Sequence, residues 1–217
     1  MPNKLFIFDL DGVIVDTAKF HFVAWQKIAH DLGIDVNETD NEQLKGVSRI
    51  ASLNKILEKA NKNLSEAEFE QLLNAKNEHY LSLIERLSKN DILPGVEVFV
   101  KHLKKQNLQV ALGSASKNAK RILSALDILD WFDVIVDGNS VTAPKPNPEV
   151  FTTSADKLDI AYKNCIVFED SIKGIQAANA AGMISIGIGD KATLQEAQRV
   201  FPNFEAIPAN FISEYIH

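Results

Sequence analysis

The pattern of apolar and polar positions changes twice along the chain. Residues 4–9 form a short apolar run that ends in two acids, Lys4-Leu5-Phe6-Ile7-Phe8-Asp9-Leu10-Asp11-Gly12-Val13. Such a run reads as a strand buried on both faces, as in a parallel sheet. From residue 17 to residue 89 the period is helical. Phe20, Val23, Ala24, Ile28 and Leu32 recur at helical spacing, and Gly33 closes that helix. Ser48 can cap a second helix through Ile50, Leu53, Ile56 and Leu57. Ser65-x-x-Glu68 is a capping box that opens a long helix through Phe69, Leu72, Leu73 and Leu83. This stretch predicts a bundle of about four helices.

After Pro94-Gly95 the texture alternates. Strands are predicted at 108–112, 132–136, 166–168 and 184–188, with helices at 96–106, 118–126, 148–158 and 172–181. This alternation predicts an α/β fold, a Rossmann-like parallel sheet with helices on both faces. The strand at 4–9 joins that sheet most simply. Residues 1–16 and 90–217 then form the α/β core domain, and residues 17–89 an inserted all-helical cap domain placed as a lid.

Composition narrows the function classes. The 217 residues carry a net charge of −6, which argues against a nucleic-acid or anionic-membrane surface. The single Cys165 lies in an apolar run and reads as a buried structural thiol. No run approaches membrane-spanning length, and the first residues lack the apolar core of a signal peptide, so a cytoplasmic protein is expected.

Polar groups gather where the predicted strands end, which is where open α/β sheets bind ligands. Asp9 and Asp11 end the first strand, Ser114 follows the second, Lys145 precedes a helix in Ala143-Pro144-Lys145-Pro146, and Glu169-Asp170 ends another strand. Four carboxylates of this kind suit Mg²⁺, and a hydroxyl with an ammonium suits phosphate oxygens.

These four pieces, in this order, resemble the four motifs of the haloacid dehalogenase-like phosphotransferases, and the resemblance covers the whole chain. It implies Asp9 as a nucleophile that forms an aspartyl-phosphate and Asp11 as general acid/base. Mg²⁺ would be held by Asp9, the Asp11 carbonyl and Asp170, with Glu169 in or behind that shell. Ser114 and Lys145 would hold the transferring phosphoryl oxygens. The pieces HFVAW, EQLKGVSR and SASKN look like those of the family's sugar-phosphate mutases. By that resemblance Thr17, His21, Trp25, Lys45, Gly46, Val47, Arg49, Ser52 and Lys76 in the cap would bind substrate, as would Ala115, Ser116, Lys117 and Asn118 in the core. Arg49 would grip a second, non-transferring phosphate, with Ser116, Lys117 and Asn118 opposite it. Lys76 sits among Lys62, Glu66, Glu70 and Glu78, a setting that equally fits a solvated face. Gly113 stands where that branch is expected to carry alanine, a change that should loosen the loop slightly. The substrates implied are small sugar phosphates handled by a monomer, with no nucleic acid or membrane as partner. Hydrolysis of a hexose phosphate by the same core is the alternative.

Overall fold

A computed structural model describes residues 4–44 and 49–216, without the side chains of residues 42 and 43. It divides into two compact units: Met1–Asp16 with Leu87–His217, and Thr17–Arg86. The second boundary thus falls between Arg86 and Leu87, three residues before the 89/90 expected from sequence.

The first unit is a six-stranded, all-parallel sheet. Its strands are β1 (Leu5–Phe8), β2 (Gln109–Gly113), β3 (Val134–Val136), β4 (Cys165–Glu169), β5 (Ile184–Ile188) and β6 (Arg199–Phe201). Their order is β3-β2-β1-β4-β5-β6. β1 pairs with β2 on one side and β4 on the other, with Phe8 opposite Leu112 and Phe168. The order reverses at β1 and β4, so the crevice beyond their carboxyl ends is the favoured ligand position of such a sheet.

Alternation along β1 supplies two cores. Leu5 and Ile7 enter a cluster with Val167, with Val150 and Phe151 of α7 (Glu149–Asp156), and with Ala177 and Ala178 of α8 (Ile172–Ala180). Phe6 and Phe8 point the other way. Phe8 stacks on Phe168 with centroids 4.9 Å apart and meets Phe99 of α5 (Val96–Lys105) edge-on. Phe204 and Phe211, from the segment after β6, complete this aromatic layer. Helices therefore cover both faces, and α6 (Ala119–Ala125) and α9 (Ser213–Ile216) finish the unit.

Gly113 is a packing requirement. A Cβ there would lie 2.8 Å from the Phe151 ring and 3.1 Å from an Ile7 methyl, so the glycine admits Phe151 rather than loosening the loop.

The second unit contains α1 (Ala18–Asp31), α2 (Glu38–Leu44), α3 (Arg49–Lys59) and α4 (Glu66–Ile84). Ser65 and Glu68 close the predicted capping box on α4. The buried stripe of α1 is Ala24, Trp25, Ile28 and Ala29, and Val23 is 41% exposed, so the stripe is rotated from the one read in the sequence. Ser48 lies outside the described residues. No described helix is long and apolar enough to cross a membrane.

Candidate active site

β1 carries the chain directly into the site. Asp9 follows Phe8, and its N–H donates to the Phe168 carbonyl (3.0 Å), which extends the ladder one residue beyond the strand. Only 7% of Asp9 is exposed. β4 ends in Glu169, which is 1% exposed. Lys145, from the loop between β3 and α7, spans the strand ends. Its Nζ donates to Asp9 Oδ1 (2.5 Å), Glu169 Oε1 (2.6 Å) and the Gly113 carbonyl (3.3 Å). Burial alone would lower the Lys145 pKa, but Asp9 and Glu169 outweigh it and hold the ammonium above its ordinary range.

Both Glu169 oxygens accept hydrogen bonds, Oε1 from Lys145. Its Oε2 accepts from Ser171 N (2.8 Å) and Ser171 Oγ (2.9 Å), and Ser171 in turn caps α8.

After Asp9 the chain makes a tight turn in which Gly12 N donates to Val15 O (2.9 Å) and Val15 N to Leu10 O (3.1 Å). Gly12 has φ +76, and a Cβ there would lie 1.9 Å from Asp170 Oδ2. The Asp170 carboxylate therefore lies against the Asp11-Gly12 backbone, and the first and fourth motifs meet. Burial raises the Asp9 and Asp170 carboxyls well above the carboxylate range. Lys145 pulls Asp9 back, while Glu169 and Asp11 push both of them up.

That crowding tests the fit of a divalent cation. Among the described residues no three His, Cys, Asp or Glu side chains form a closed metal cage. Mg²⁺ does not need one, since it is commonly held by one or two carboxylates with waters and substrate phosphate. Asp9 and Asp170, with the Asp11 carbonyl, are hard oxygen donors, and their raised carboxyls are what an added cation would relieve. The donor set fits.

The second motif is built by β2. Ser114 is 1% exposed, its N–H donates to Val136 O (3.0 Å), and its Oγ accepts from Ser116 N (3.1 Å). Ser116 Oγ accepts from Asn118 N (3.2 Å), and Asn118 leads into α6. Ala115 and Lys117 are exposed along this loop.

A second polar cluster lies within the helical unit. Lys76 of α4 is 3% exposed, a correction to the solvated face that its charged neighbours suggest. Its Nζ is 2.8 Å from His21 Nδ1, 5.0 Å from the Trp25 ring centre and 4.8 Å from that of Tyr80. Burial, aided by the Arg49 charge, lowers its pKa to about 7. His21 stacks on Tyr80 with centroids 4.1 Å apart. Burial and Lys76 lower His21 to about 3, so the ring is neutral at pH 7. The neutral ring shares one hydrogen bond with Lys76 through Nδ1, and its tautomer sets which of the two donates. Trp25 is 3% exposed and belongs to the helical core while also walling Lys76. Thr17 and Ser52 are buried, and Arg49 is exposed in the first turn of α3. Lys45, Gly46 and Val47 lie outside the described residues.

Two contributors escape sequence reasoning. Tyr80 is one helical turn after Lys76, a spacing that could have signalled it. Glu149 accepts from Ala143 N (2.7 Å) and Thr142 N (3.0 Å), so it ties down the loop that carries Lys145. An acid at a helix start is too common to single it out.

Comparison with known proteins gives a consistent picture. The family model for haloacid dehalogenase-like hydrolases matches residues 3–182. The chain is 43% identical to the β-phosphoglucomutase of Bacillus subtilis over 188 residues, 86% of this chain and 83% of that one. It is 31% identical to a fructose-1-phosphate phosphatase of Escherichia coli over 84% of this chain and 94% of that one. The structure superposes on a β-phosphoglucomutase from Clostridium difficile with a TM-score of 0.88 at 44% identity, covering 98% of this chain and 96% of the other. With a buried Asp9–Lys145–Glu169 cluster at the switch point of its sheet and a family match over most of its length, the chain belongs to the haloacid dehalogenase-like hydrolase family.

Proposed function

We propose that this protein is a β-phosphoglucomutase. It interconverts β-D-glucose 1-phosphate and D-glucose 6-phosphate through an aspartyl-phosphate on Asp9 and a β-glucose 1,6-bisphosphate intermediate. The observation that carries the reaction class is the Asp9 carboxylate, fixed at a strand end by Lys145 at 2.5 Å. An Asp9 oxygen attacks phosphorus in line with the leaving oxygen, and covalent capture splits one difficult displacement into two easier ones. Asp11, two residues on, gives a proton to the departing sugar oxygen and later takes one from the attacking hydroxyl. Ser114 and Lys145 hold the phosphoryl oxygens. Mg²⁺, when bound by Asp9, Asp170 and the Asp11 carbonyl, would neutralise charge on the transferring group.

Thr17, His21, Trp25, Lys45, Gly46, Val47, Arg49, Ser52 and Lys76 would contact the sugar and its second phosphate, as would Ala115, Ser116, Lys117 and Asn118. Arg49 suits bidentate phosphate binding. A cytoplasmic monomer acting on small sugar phosphates goes with this reading. The higher identity to mutases than to phosphatases favours transfer to sugar over transfer to water. The second reading, a hexose-phosphate phosphatase, draws on the 31% match to a fructose-1-phosphate phosphatase.

One assay separates them. Purified protein is given Mg²⁺, β-glucose 1-phosphate and a trace of bisphosphate, and glucose 6-phosphate and inorganic phosphate are followed together. Glucose 6-phosphate should dominate. Predominant inorganic phosphate would establish the phosphatase instead.

A further inference from the structure

A buried carboxylate that the mechanism above does not use lies one residue beyond β3. Asp137 is 4% exposed. Its Oδ1 accepts from Asn139 N (3.0 Å) and Ser140 Oγ (3.0 Å), and its Oδ2 from Asn139 Nδ2 (3.3 Å). Burial pushes this carboxyl up, but the Ser140 and Asn139 bonds prevail and hold it below its ordinary range. The turn built on Asp137 reaches back to the loop after β2. Gly138 N donates to Ser116 O (3.1 Å), and Asn139 Nδ2 donates to Lys117 O (2.9 Å). The approach is close, since a Cβ on Gly138 would lie 2.2 Å from Ala115 O. Two successive carbonyls of the 114–118 loop are thus gripped from one side. Because a trans peptide is planar, holding the Ser116 carbonyl fixes the Lys117 N–H in the opposite direction, away from the turn. The Ser116 and Asn118 amides on either side donate to Ser114 Oγ and Ser116 Oγ, so the Lys117 N–H is the backbone donor that this grip directs toward an anion.

We propose that Asp137 and Asn139 are positioning residues that shape the 114–118 loop into a phosphate-binding conformation and so set affinity for the non-transferring phosphate. This rests on the reading above that the loop takes that phosphate. Asn139 is exposed, so changing it tests the idea without emptying a core position. Asn139→Ala removes the donor to Lys117 O, and Asn139→Asp keeps the shape but cannot donate. Both should raise KM for β-glucose 1,6-bisphosphate about fivefold to tenfold, with kcat within about twofold, the effect of one lost hydrogen bond amplified by loop displacement. Asn139→Gln, which keeps the amide donor, should recover part of the loss. Labelling of Asp9 by acetyl phosphate, a small donor with no second phosphate, should be unchanged in all three variants. An unchanged KM in the Ala and Asp variants would overturn the proposal. So would a fall in acetyl phosphate labelling that parallels the rise in KM, because the damage would then be general. If the wild-type protein releases only inorganic phosphate from sugar phosphates, the mutase reading fails, while the proposal still requires the Ala and Asp variants to bind β-glucose 1,6-bisphosphate about fivefold to tenfold more weakly than wild type in calorimetry; equal binding would overturn it.

Discussion

Lys76→Met should stabilise the protein at neutral pH and destabilise it in base. Burial, with a smaller push from Arg49, lowers the Lys76 pKa from 10.5 to about 7. Each tenfold change in proton affinity is worth about 1.4 kcal/mol, so holding this lysine inside costs about 5 kcal/mol at pH 7. Methionine is unbranched, apolar and adaptable, and it removes that cost. That cost already includes the ammonium's contacts with the Trp25 and Tyr80 rings. The substitution leaves the buried His21 Nδ1 without its 2.8 Å partner, at a cost of about 3 kcal/mol. The net expectation is a gain of about 2 kcal/mol at pH 7. The sign follows from proton counting. Between about pH 7 and 10.5 the folded wild-type protein binds fewer protons at Lys76 than the unfolded chain, so its stability rises with pH, by up to about 1.4 kcal/mol for each pH step. The variant lacks that rise, and the two stability curves should cross between about pH 8 and 9. Urea unfolding at pH 7 and 9.5 measures this, followed by Trp25 fluorescence in a Trp131→Phe background. A variant less stable than wild type at pH 7, with a parallel pH dependence, would refute the reasoning. Catalytic turnover of the variant should fall even as its stability rises.

Three further outcomes follow from the core unit. Asp9→Asn should abolish incorporation of labelled phosphate from acetyl phosphate and lower turnover at least about a thousandfold, as expected when a covalent nucleophile is lost. Gly12→Ala places a methyl 1.9 Å from Asp170 Oδ2 at a residue with φ +76. It should raise the Mg²⁺ concentration for half-maximal turnover and lower stability in urea by about 1–2 kcal/mol. Glu149→Ala releases Thr142 N and Ala143 N and with them the loop that carries Lys145. Its kcat should fall about tenfold, with Glu149→Gln in between, because small misplacements of a positioning group are costly to rate.

The sheet was legible where strands are long and fully buried. β1 announced itself because four apolar residues run without interruption into Asp9, and burial on both faces demands that pattern. β6 gave no such signal. Arg199, Val200 and Phe201 are three half-buried residues on a sheet edge, too few to show a period. The residue types of the site were readable from the four strand ends, but not their contacts. That one ammonium would touch Asp9, Glu169 and the Gly113 carbonyl depends on the pairing of β1 with β2 and β4, which spacing alone does not dictate. Lys76 misled in the opposite way. Its sequence neighbours are charged, and its burial comes from His21 and Trp25 of α1, which only tertiary packing brings beside it.

The two units carry opposite electrostatic loads. In the core unit one lysine bonds Asp9 and Glu169, and burial with mutual repulsion raises Asp9 and Asp170. In the helical unit burial and the Arg49 charge disfavour the Lys76 ammonium among aromatic rings. Neither arrangement is what stability alone would choose, because buried charge is commonly outperformed by apolar side chains of similar volume. Each load is relieved by a different partner: a divalent cation with a phosphoryl group suits the acids, and a second anion suits the lysine. Lys76 carries its load with aromatic rings and a neutral His21 around it, and no carboxylate is among the causes that set its proton affinity, so burial is relieved there only by losing the proton or by an anion.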